Sequence, residues 1–564
     1  MKRPILPALL LAGIFGSAWA AHSFLGPSEA ELSRFVPPGA LLYLEAKDFS
    51  SLLSDWNDSE EKRNWVASKN FDAFSQSRLL LRLEAAGGEF SSAAGVPANA
   101  DLLHQVAGKQ SALAVYDIGK VQFLYVTRLP SADSMQSALW QTRSQFESRS
   151  AGGVNFFYRK DPGSDREVAF AVTGGYLLLA TREDLMAGAL ELLAGSKNRS
   201  VADESWWSRP VAAAGEPGDL RMVLNLDEIV PSPYFRSYWI QQNVTHMKQY
   251  STAISDLVRS GKEYHEERSL FRRDAIQDPS GGKGGTAVAE ILRLVPADVG
   301  LYEASANPDP KASLELLVAN ILSPHLAPPA QEKIAPQVQL GSAETGSVGD
   351  LETRIDQPPA QNSLAGDTRA SLQAVFQKNR ILAQLQIKKT DRDAAGVFIR
   401  VHSAVAFLGE SDWDQESVQS ALVEFARPGF TAGQLGLEWR NGSGYGVLDG
   451  LWPLAVSAHG KYLIVSDSAT LLSNMLQGLT KKTTAPAAAF AAGFDHQGER
   501  DDLVALTRLL DAGAESDRSP GSPEFFSENI ASLSFVLRNV SSEKIVICDV
   551  GNRQTQTVTY AWAQ

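Results

Sequence analysis

Residues 36–56 read VPPGALLYLEAKDFSSLLSDW, and residues 295–317 read VPADVGLYEASANPDPKASLELL. In both stretches a Val-Pro turn leads into a short apolar run that contains a tyrosine. The two tyrosines, Tyr43 and Tyr302, are 259 positions apart. A short apolar run bounded by turn residues is typical of a β-strand. The sequence therefore predicts an opening strand and helix that the chain builds twice.

Four further landmarks recur in the same order along the chain. They are SMQSAL (134–139) with SVQSAL (417–422), FAVTGGYLLLATREDL (from 170) with LAVSAHGKYLIVSDSATL (from 454), Trp207 with Phe490, and Asp219-Leu220 with Asp502-Leu503. The offset grows from 259 to 283 between the first landmarks, so the second copy contains extra residues. Residues 323–367 are rich in Pro, Gly, Ser and Gln, which predicts an inserted flexible loop there, with one short strand at 351–355.

Local signals indicate the elements of one copy. Asp48 or Ser50 is placed to cap the first helix. The run around residues 117–120 is typical of a hairpin, and Ser131 or Asp133 would open a helix. Thr181 would cap the next helix, which has an acidic residue three positions further on and a glycine past its end. Strands joined by hairpins predict an α+β fold of two similar halves, each an antiparallel sheet with helices packed on one face.

The predicted organisation follows from these landmarks. It comprises a signal peptide (1–20), a first half (21–272, repeat core about 35–230), a linker (273–290) and a second half (291–564). Within the first half, residues 234–260 are predicted to be helical. Three strand-like runs at 530–539, 543–550 and 555–563 are predicted to close the second half.

The N-terminus indicates export. Residues 1–20 contain Lys2 and Arg3, then an apolar run, and end in Ala-Trp-Ala, the pattern of a cleaved secretory signal. The apolar run is shorter than the ~20 residues that span a bilayer, which favours cleavage over an uncleaved anchor. Cys548 is the only cysteine, so an internal disulfide is excluded. A large exported chain without disulfides is typical of a bacterial periplasm or envelope.

The strand pattern Val-Pro-x-x-x-Leu-x-Tyr, the helix of FSSLLSDW and the later GGYLLLAT resemble an exported bacterial family known as domain of unknown function 3352. The resemblance implies export and a duplicated α+β architecture. It implies no catalytic residues.

Composition and motifs weigh against several function classes. The formal charge is −13, whereas a nucleic-acid surface needs a concentrated basic face. SGGKGGT at 280–286 lacks the hydroxyl residue that a P-loop needs after Lys283, so a linker is favoured. His265 has no second histidine at metal-ligand spacing, which favours a charged surface strand. Ser443 lies in Asn-Gly-Ser-Gly, a hairpin signal rather than a nucleophile elbow.

Two side-chain types are predicted to have structural roles. A recurring large apolar residue at position 207 favours packing over a sugar-stacking platform for Trp207, whereas Trp206 is expected to face elsewhere and be exposed. Cys548 is expected to be a buried small hydrophobe rather than a reactive thiol.

No catalytic, cofactor-binding or metal-binding residue is predicted, no cofactor is indicated, and no nucleic-acid partner is expected. The sequence favours an exported envelope protein with a non-enzymatic binding or scaffolding role, with a protein or small-molecule ligand expected between the halves. Two alternatives stay open. One is an exported hydrolase with an asymmetric active site, and the other is a periplasmic protein held on the membrane by an uncleaved N-terminal helix.

Overall fold

The first predicted strand forms as β1 (Leu42–Ala46) in the computed structural model of the protein, and the first helix begins directly after it. The structure describes residues 31–68, 71, 75–76, 78–232, 247–260, 263–274, 283–322, 369–392, 399–430, 438–448, 450, 452–480, 485–495 and 540–562. The chain divides into unit 1, Met1–Arg63 with Phe71–Val258, and unit 2, Asn64–Asn70 with Arg259–Gln564.

Unit 1 contains an antiparallel sheet. Its other strands are β2 (Ser111–Asp117), β3 (Gln122–Arg128), β4 (Glu147–Ala151), β5 (Val154–Lys160), β6 (Glu167–Thr173), β7 (Tyr176–Ala180), β8 (Leu220–Asn225) and β9 (Tyr250–Ser260). The strand order is β9-β8-β1-β2-β3-β7-β6-β5-β4. β1 thus lies between β2, the next strand in the chain, and β8, which comes near the C-terminal end of the unit.

Helices connect these strands. They are α1 (Phe49–Asp58), α2 (Glu60–Val66), α3 (Arg78–Ala94), α4 (Ala100–Val106), α5 (Ser131–Ser134), α6 (Ala138–Gln141), α7 (Glu183–Leu193), α8 (Ser205–Ala214) and α9 (Leu226–Ile229). Phe90 of α3 and Leu102 of α4 are buried in one core with Phe170 and Leu179 of the sheet. Apolar burial of this kind is the main force that holds the helices on the sheet.

Unit 2 also contains an antiparallel sheet. Its strands are β10 (Glu263–Arg272), β11 (Leu301–Ala306), β12 (Ile381–Arg392), β13 (Ile399–Gly409), β14 (Trp439–Asn441), β15 (Gly446–Leu448), β16 (Leu454–His459), β17 (Tyr462–Ser466), β18 (Phe490–Asp495), β19 (Val540–Val550) and β20 (Arg553–Trp562). The order is β14-β15-β16-β17-β13-β12-β11-β18-β19-β20-β10. Read from β14 to β19, this order matches the unit 1 order read from β4 to β9, strand for strand.

Helices cover both faces of the unit 2 sheet, whereas the sequence predicted one face. They are α10 (Lys283–Ile291), α11 (Pro310–Leu317), α12 (Ala370–Lys378), α13 (Gln415–Phe430) and α14 (Ala469–Gly478). Val405 and Phe407 of β13 are buried with α11, α12 and α13. Ala404 and Ala406, one position over, are buried with α10 and α14. Alternating side chains point to opposite faces of a strand, so β13 serves two cores.

Several local predictions are confirmed. Asp48 accepts a hydrogen bond from the Ser51 backbone N–H and caps α1. β2 and β3 form the hairpin predicted around residues 117–120. Gly195 follows α7 with a φ of +86°, a left-handed conformation that favours glycine.

Other local predictions are wrong. Residues 250–260 form β9 instead of a helix, because residues 252–257 pair with β8. The predicted linker 273–290 ends in α10, and the boundary between units falls at 258/259 rather than 272. Thr181 does not cap α7; its hydroxyl bonds to the backbone of Phe123 instead.

The predicted alignment of Trp207 with Phe490 is also wrong. Phe490 begins β18, which pairs with β11 as β8 pairs with β1, so β18 occupies the position of β8. Trp207 lies in α8, a helix that precedes β8.

Several predicted segments lie outside the described residues. These are the signal peptide (1–20), residues 234–246 of the helix predicted for 234–260, the inserted loop (323–367) with its strand at 351–355, the run at 530–539, and Asp502. Among the helices that are described, none is long and apolar enough to cross a membrane.

Candidate functional site

A cleft of about 600 Å³ opens in unit 1 beside the N-terminal end of α8. Its lining contains both polar and apolar side chains. The lining includes Glu31, Arg34, Asn198, Asp203, Trp207 and Ala212. Ligand sites of this volume usually combine an apolar surface with a few fixed polar groups.

One wall of the cleft is fixed by a capping box. Ser200 and Asp203 flank a single 3₁₀ turn, and each side chain bonds the backbone of the other. The Asp203 carboxylate accepts the Ser200 backbone N–H at 2.8 Å and its hydroxyl at 2.9 Å. These hydrogen bonds hold the pKa of Asp203 below its usual value, first through the backbone N–H. The cleft therefore contains a carboxylate that stays ionised and is held in place.

The floor of the cleft rests on buried aromatic rings. Trp207 is 5 % exposed, and its ring meets Tyr43 edge to face, with 4.5 Å between centroids. Tyr43 is fully buried, and its hydroxyl donates to Glu45 at 3.1 Å. The second oxygen of Glu45 accepts from the amide of Gln110 at 2.8 Å. Because the Tyr43 hydroxyl and both oxygens of Glu45 are hydrogen-bonded within the protein, the floor is preorganised.

Burial alters the titration of this layer. It raises the pKa of the Glu45 carboxyl, even though the hydrogen bonds from Gln110 and Tyr43 favour the charged form. Burial raises the pKa of Tyr43 well above its ordinary value, and the neighbouring Glu45 charge acts in the same direction. Desolvation disfavours the ionised form of both groups.

An ion pair joins β8 and β9 of the same sheet. Arg221 is 3 % exposed, and its guanidinium donates to both oxygens of Asp256, at 2.7 Å and 2.8 Å. The same guanidinium donates to the backbone oxygens of Gly215 and Glu216, just past α8. Arg221 thus fixes the C-terminal end of the helix that carries Trp207.

In unit 2 a histidine, His402, lies beside two carboxylates. His402 Nδ1 lies 3.5 Å from Asp467 Oδ1, and His402 Nε2 lies 3.9 Å from Asp391. The Asp467 oxygen also accepts the Ser403 backbone N–H at 2.9 Å. The hydrogen bond to Asp467 raises the pKa of His402, although burial opposes it. A histidine oriented by a carboxylate is one component of many hydrolytic sites.

The structure accounts for the remaining sequence motifs. Lys283 begins α10 and pairs with Glu410 at 3.0 Å, so this part of the predicted linker is a helix. His265 lies on β10, as the strand prediction required, and contacts Glu263 and Thr559 at 3.2 Å each. No group of three potential metal ligands occurs in the described parts of the chain. Ser443 lies in the turn between β14 and β15, which confirms the hairpin.

Of the tryptophan pair, Trp207 is buried as predicted, but the expectation that Trp206 is exposed is wrong. Trp206 is 8 % exposed, and its indole N–H donates to Glu204 at 3.1 Å. Cys548 is half-buried on β19, and burial raises the pKa of its thiol. A raised thiol pKa lowers the thiolate fraction and with it the reactivity.

The sequence interpretation missed the cleft and the histidine. The Ser-x-x-Asp spacing at 200–203 is a readable capping signal. By contrast, His402 and Asp467 are 65 positions apart and meet only because β13 pairs with β17. No local pattern reports that pairing.

No protein-family model matches the chain, and no curated protein matches it significantly. Among solved structures it is similar to crystal forms I, IV and III of the protein TP0453, with 11 %, 11 % and 9 % identity. The matches cover 44 %, 43 % and 45 % of this chain and 82 %, 81 % and 84 % of the other. The TM-scores are 0.23, 0.24 and 0.23. The resemblance to domain of unknown function 3352 stays a prediction.

Proposed function

We propose that the protein is an exported component of the bacterial envelope that binds a hydroxylated small molecule, a saccharide, in the unit 1 cleft. The signal-like pattern of residues 1–20 supports export. The cleft supports binding, and the observation that carries the proposal is its preformed floor of Trp207 on Tyr43 below a wall of ionised and hydroxyl groups.

The chemistry of the lining favours this ligand class. A saccharide presents hydroxyl groups at its edges and C–H groups on its ring faces. The carboxylates of Glu31 and Asp203 and the amide of Asn198 offer partners to hydroxyl groups. Apolar groups of the floor suit the C–H groups.

A blocking substitution tests the cleft. Ala212 lines it and is exposed, whereas Ala213 is exposed but does not line it. Ala212→Trp fills the cleft, and Ala213→Trp adds the same bulk beside it. Isothermal titration with maltotriose and with the trisaccharide of N-acetylglucosamine should detect binding to the wild type and to A213W. Binding to A212W should weaken at least about tenfold, a change of roughly 1.4 kcal/mol.

Two results would reject the assignment. Equal binding by A212W and A213W would remove the ligand from the cleft, and no heat with either trisaccharide at millimolar concentration would reject the saccharide class. Export is tested separately by intact mass. A mature chain that begins at Ala21 supports a cleaved signal, and a full-length chain in the membrane fraction supports the uncleaved anchor.

An exported hydrolase is the second candidate, because His402 and Asp467 meet in unit 2. Purified mature protein would be assayed against ester, peptide and glycan substrates, together with His402→Gln. Turnover by the wild type that H402Q abolishes, while its thermal midpoint is retained, would replace the binding proposal with the hydrolase.

A further inference from the structure

A second concave surface lies in unit 2, on the outer side of α13. We define the α13 groove by Glu416, Gln419, Ser420, Val423 and Glu424 of the helix, together with Trp439 of β14. Its volume is about 600 Å³. The five helical residues fall three and four positions apart, so they share one face of the helix.

Within the described residues this face of α13 is open to solvent, with Glu416, Ser420 and Glu424 all exposed. Val418, Leu422 and Phe425 on the opposite side of α13 are buried in the core against the sheet. β14 is the last strand of the sheet order and, in the described part of the chain, pairs only with β15. The groove therefore runs beside a sheet edge, where a strand exposes unpaired backbone groups.

One polar group in the groove, the side-chain amide of Gln419, has no hydrogen-bond partner in the described part of the chain. The Nε2 of Gln419 is shielded from water, and no acceptor among the described residues lies within hydrogen-bond distance. A shielded donor left unpaired costs roughly 1–3 kcal/mol. The amide packs directly on Gly446, where an added Cβ would fall 2.6 Å from Nε2. Gln419 therefore packs between the groove and the backbone of β15.

The ends of the groove are both acidic. Glu424 is fixed by a hydrogen bond from the Ser371 hydroxyl at 2.6 Å, and no described side chain pairs with the carboxylate of Glu416. Eight positions along an α-helix separate them, a rise of about 12 Å. Trp439 and Gln419 both adjoin Gly446, and Gln419 lies between the two glutamates along the helix. The groove thus combines two acidic groups with an aromatic side chain.

We propose that the α13 groove binds an extended polypeptide segment that carries two basic side chains separated by three residues, with an apolar side chain midway. Four residues of extended chain span about 13 Å, which matches the separation of the two glutamates. Side chains at the first, third and fifth positions point to the same side, so both cations and the apolar group face the groove. The charges of the groove and of the segment are complementary, which gives specificity and a salt-dependent association rate.

This site is independent of the proposed saccharide cleft, because the groove belongs to unit 2 and the cleft to unit 1. A chain with both would connect a polypeptide partner to a small-molecule ligand. Loss of peptide binding would leave the cleft assay unchanged, and A212W should bind the peptide as the wild type does.

The test uses nine-residue peptides of Gly and Ser with Lys at positions 3 and 7 and Leu at position 5. Two comparison peptides replace both Lys by Glu or place Lys at 3 and 5 with Leu at 7. Isothermal titration at about 50 mM salt should show binding of the first peptide to the wild type. The rearranged peptide should bind several-fold more weakly, and the glutamate peptide should give no binding. Binding of the first peptide should weaken as salt increases.

Matched variants assign the binding to the groove. Glu416→Gln with Glu424→Gln should weaken the first peptide at least about tenfold, roughly 1.4 kcal/mol. The control, Glu228→Gln with Glu315→Gln, removes the same net charge at other exposed positions and should leave the affinity unchanged. Gly446→Ala displaces the Gln419 amide without altering charge and should weaken binding several-fold. Equal effects of the two double variants, equal binding of the glutamate peptide, or no binding of the first peptide at millimolar concentration would overturn the proposal.

Discussion

Strands β1 and β11 hold the same place in the strand order of their units, yet their tyrosines are covered differently. Tyr43 lies opposite Val223 on β8 and is fully buried under Trp207, which α8 supplies. Tyr302 lies opposite Gly493 on β18, and a Cβ at that glycine would fall 2.3 Å from the tyrosine ring.

The difference shows two solutions to one packing problem. In unit 1 a helix extends over the ring, and its end is fixed by the ion pair of Arg221 with Asp256. In unit 2 the facing residue on β18 is a glycine, Gly493, so the ring of Tyr302 lies across the β18 backbone. In unit 1 the covering helix, α8, also lines the cleft. The same strand order thus acquires a site from what covers it.

The largest effect is expected from removing the cover in unit 1. Trp207→Ala should lower the free energy of unfolding by about 4 kcal/mol, because burial of a large aromatic ring is lost and a cavity remains over Tyr43. Urea denaturation followed by circular dichroism measures this change. Trp56→Ala is the control, since Trp56 is 48 % exposed and should cost less than about 1 kcal/mol. Similar costs for both variants would contradict the packing role.

Breaking the ion pair should have a somewhat smaller effect. Arg221→Met leaves the Asp256 carboxylate buried without its partner and should cost about 3 kcal/mol. Asp256→Leu in the same chain removes the uncompensated charge, so the double variant should recover most of the lost stability. No recovery in urea denaturation would show that Arg221 acts mainly through the end of α8.

Filling the glycine in unit 2 should cost about 2 kcal/mol, because Gly493→Ala forces the ring of Tyr302 to move. Adding Tyr302→Ala should relieve most of that conflict. Gly88→Ala should have the opposite sign and stabilise by roughly 0.5–1 kcal/mol, since α3 has open space at that position. A Gly493→Ala protein as stable as the wild type in thermal unfolding would show that Tyr302 is not confined by β18.

The smallest effect concerns charge. The pKa of His402 is raised in the folded protein, so the contribution of its pairing with Asp467 is fully present below the unfolded pKa near 6.5. It is lost as the pH rises through the folded pKa. His402→Gln should therefore destabilise by up to about 1 kcal/mol at pH 5.5 and less at pH 8.5. A difference that grows with pH, or an NMR titration of His402 below 6.5, would contradict the pairing.

Much of the fold could be predicted because its signals are local. The hairpins, the strand β1 and the Asp48 cap depend on residues close to one another in the chain. β9 could not, because Tyr250, Ala253, Ile254 and Leu257 have the spacing of a helix, and only pairing with β8 makes the segment extended. The unit 1 cleft was harder still to predict from the sequence. Its floor joins Tyr43 to Trp207 across more than 160 positions, and a lone sequence carries no record of that contact.

The strand order of each unit also bears on how the chain folds. β1 pairs with β8, and β11 pairs with β18, with paired residues 174 to 193 positions apart. The first strand of a unit therefore cannot complete its ladder until nearly the whole unit has been synthesised. Closing so long a loop is entropically costly, so these contacts should form late and folding should be slow. Until then, β1 and β11 present one unpaired edge each, the segments on which misassembly would start.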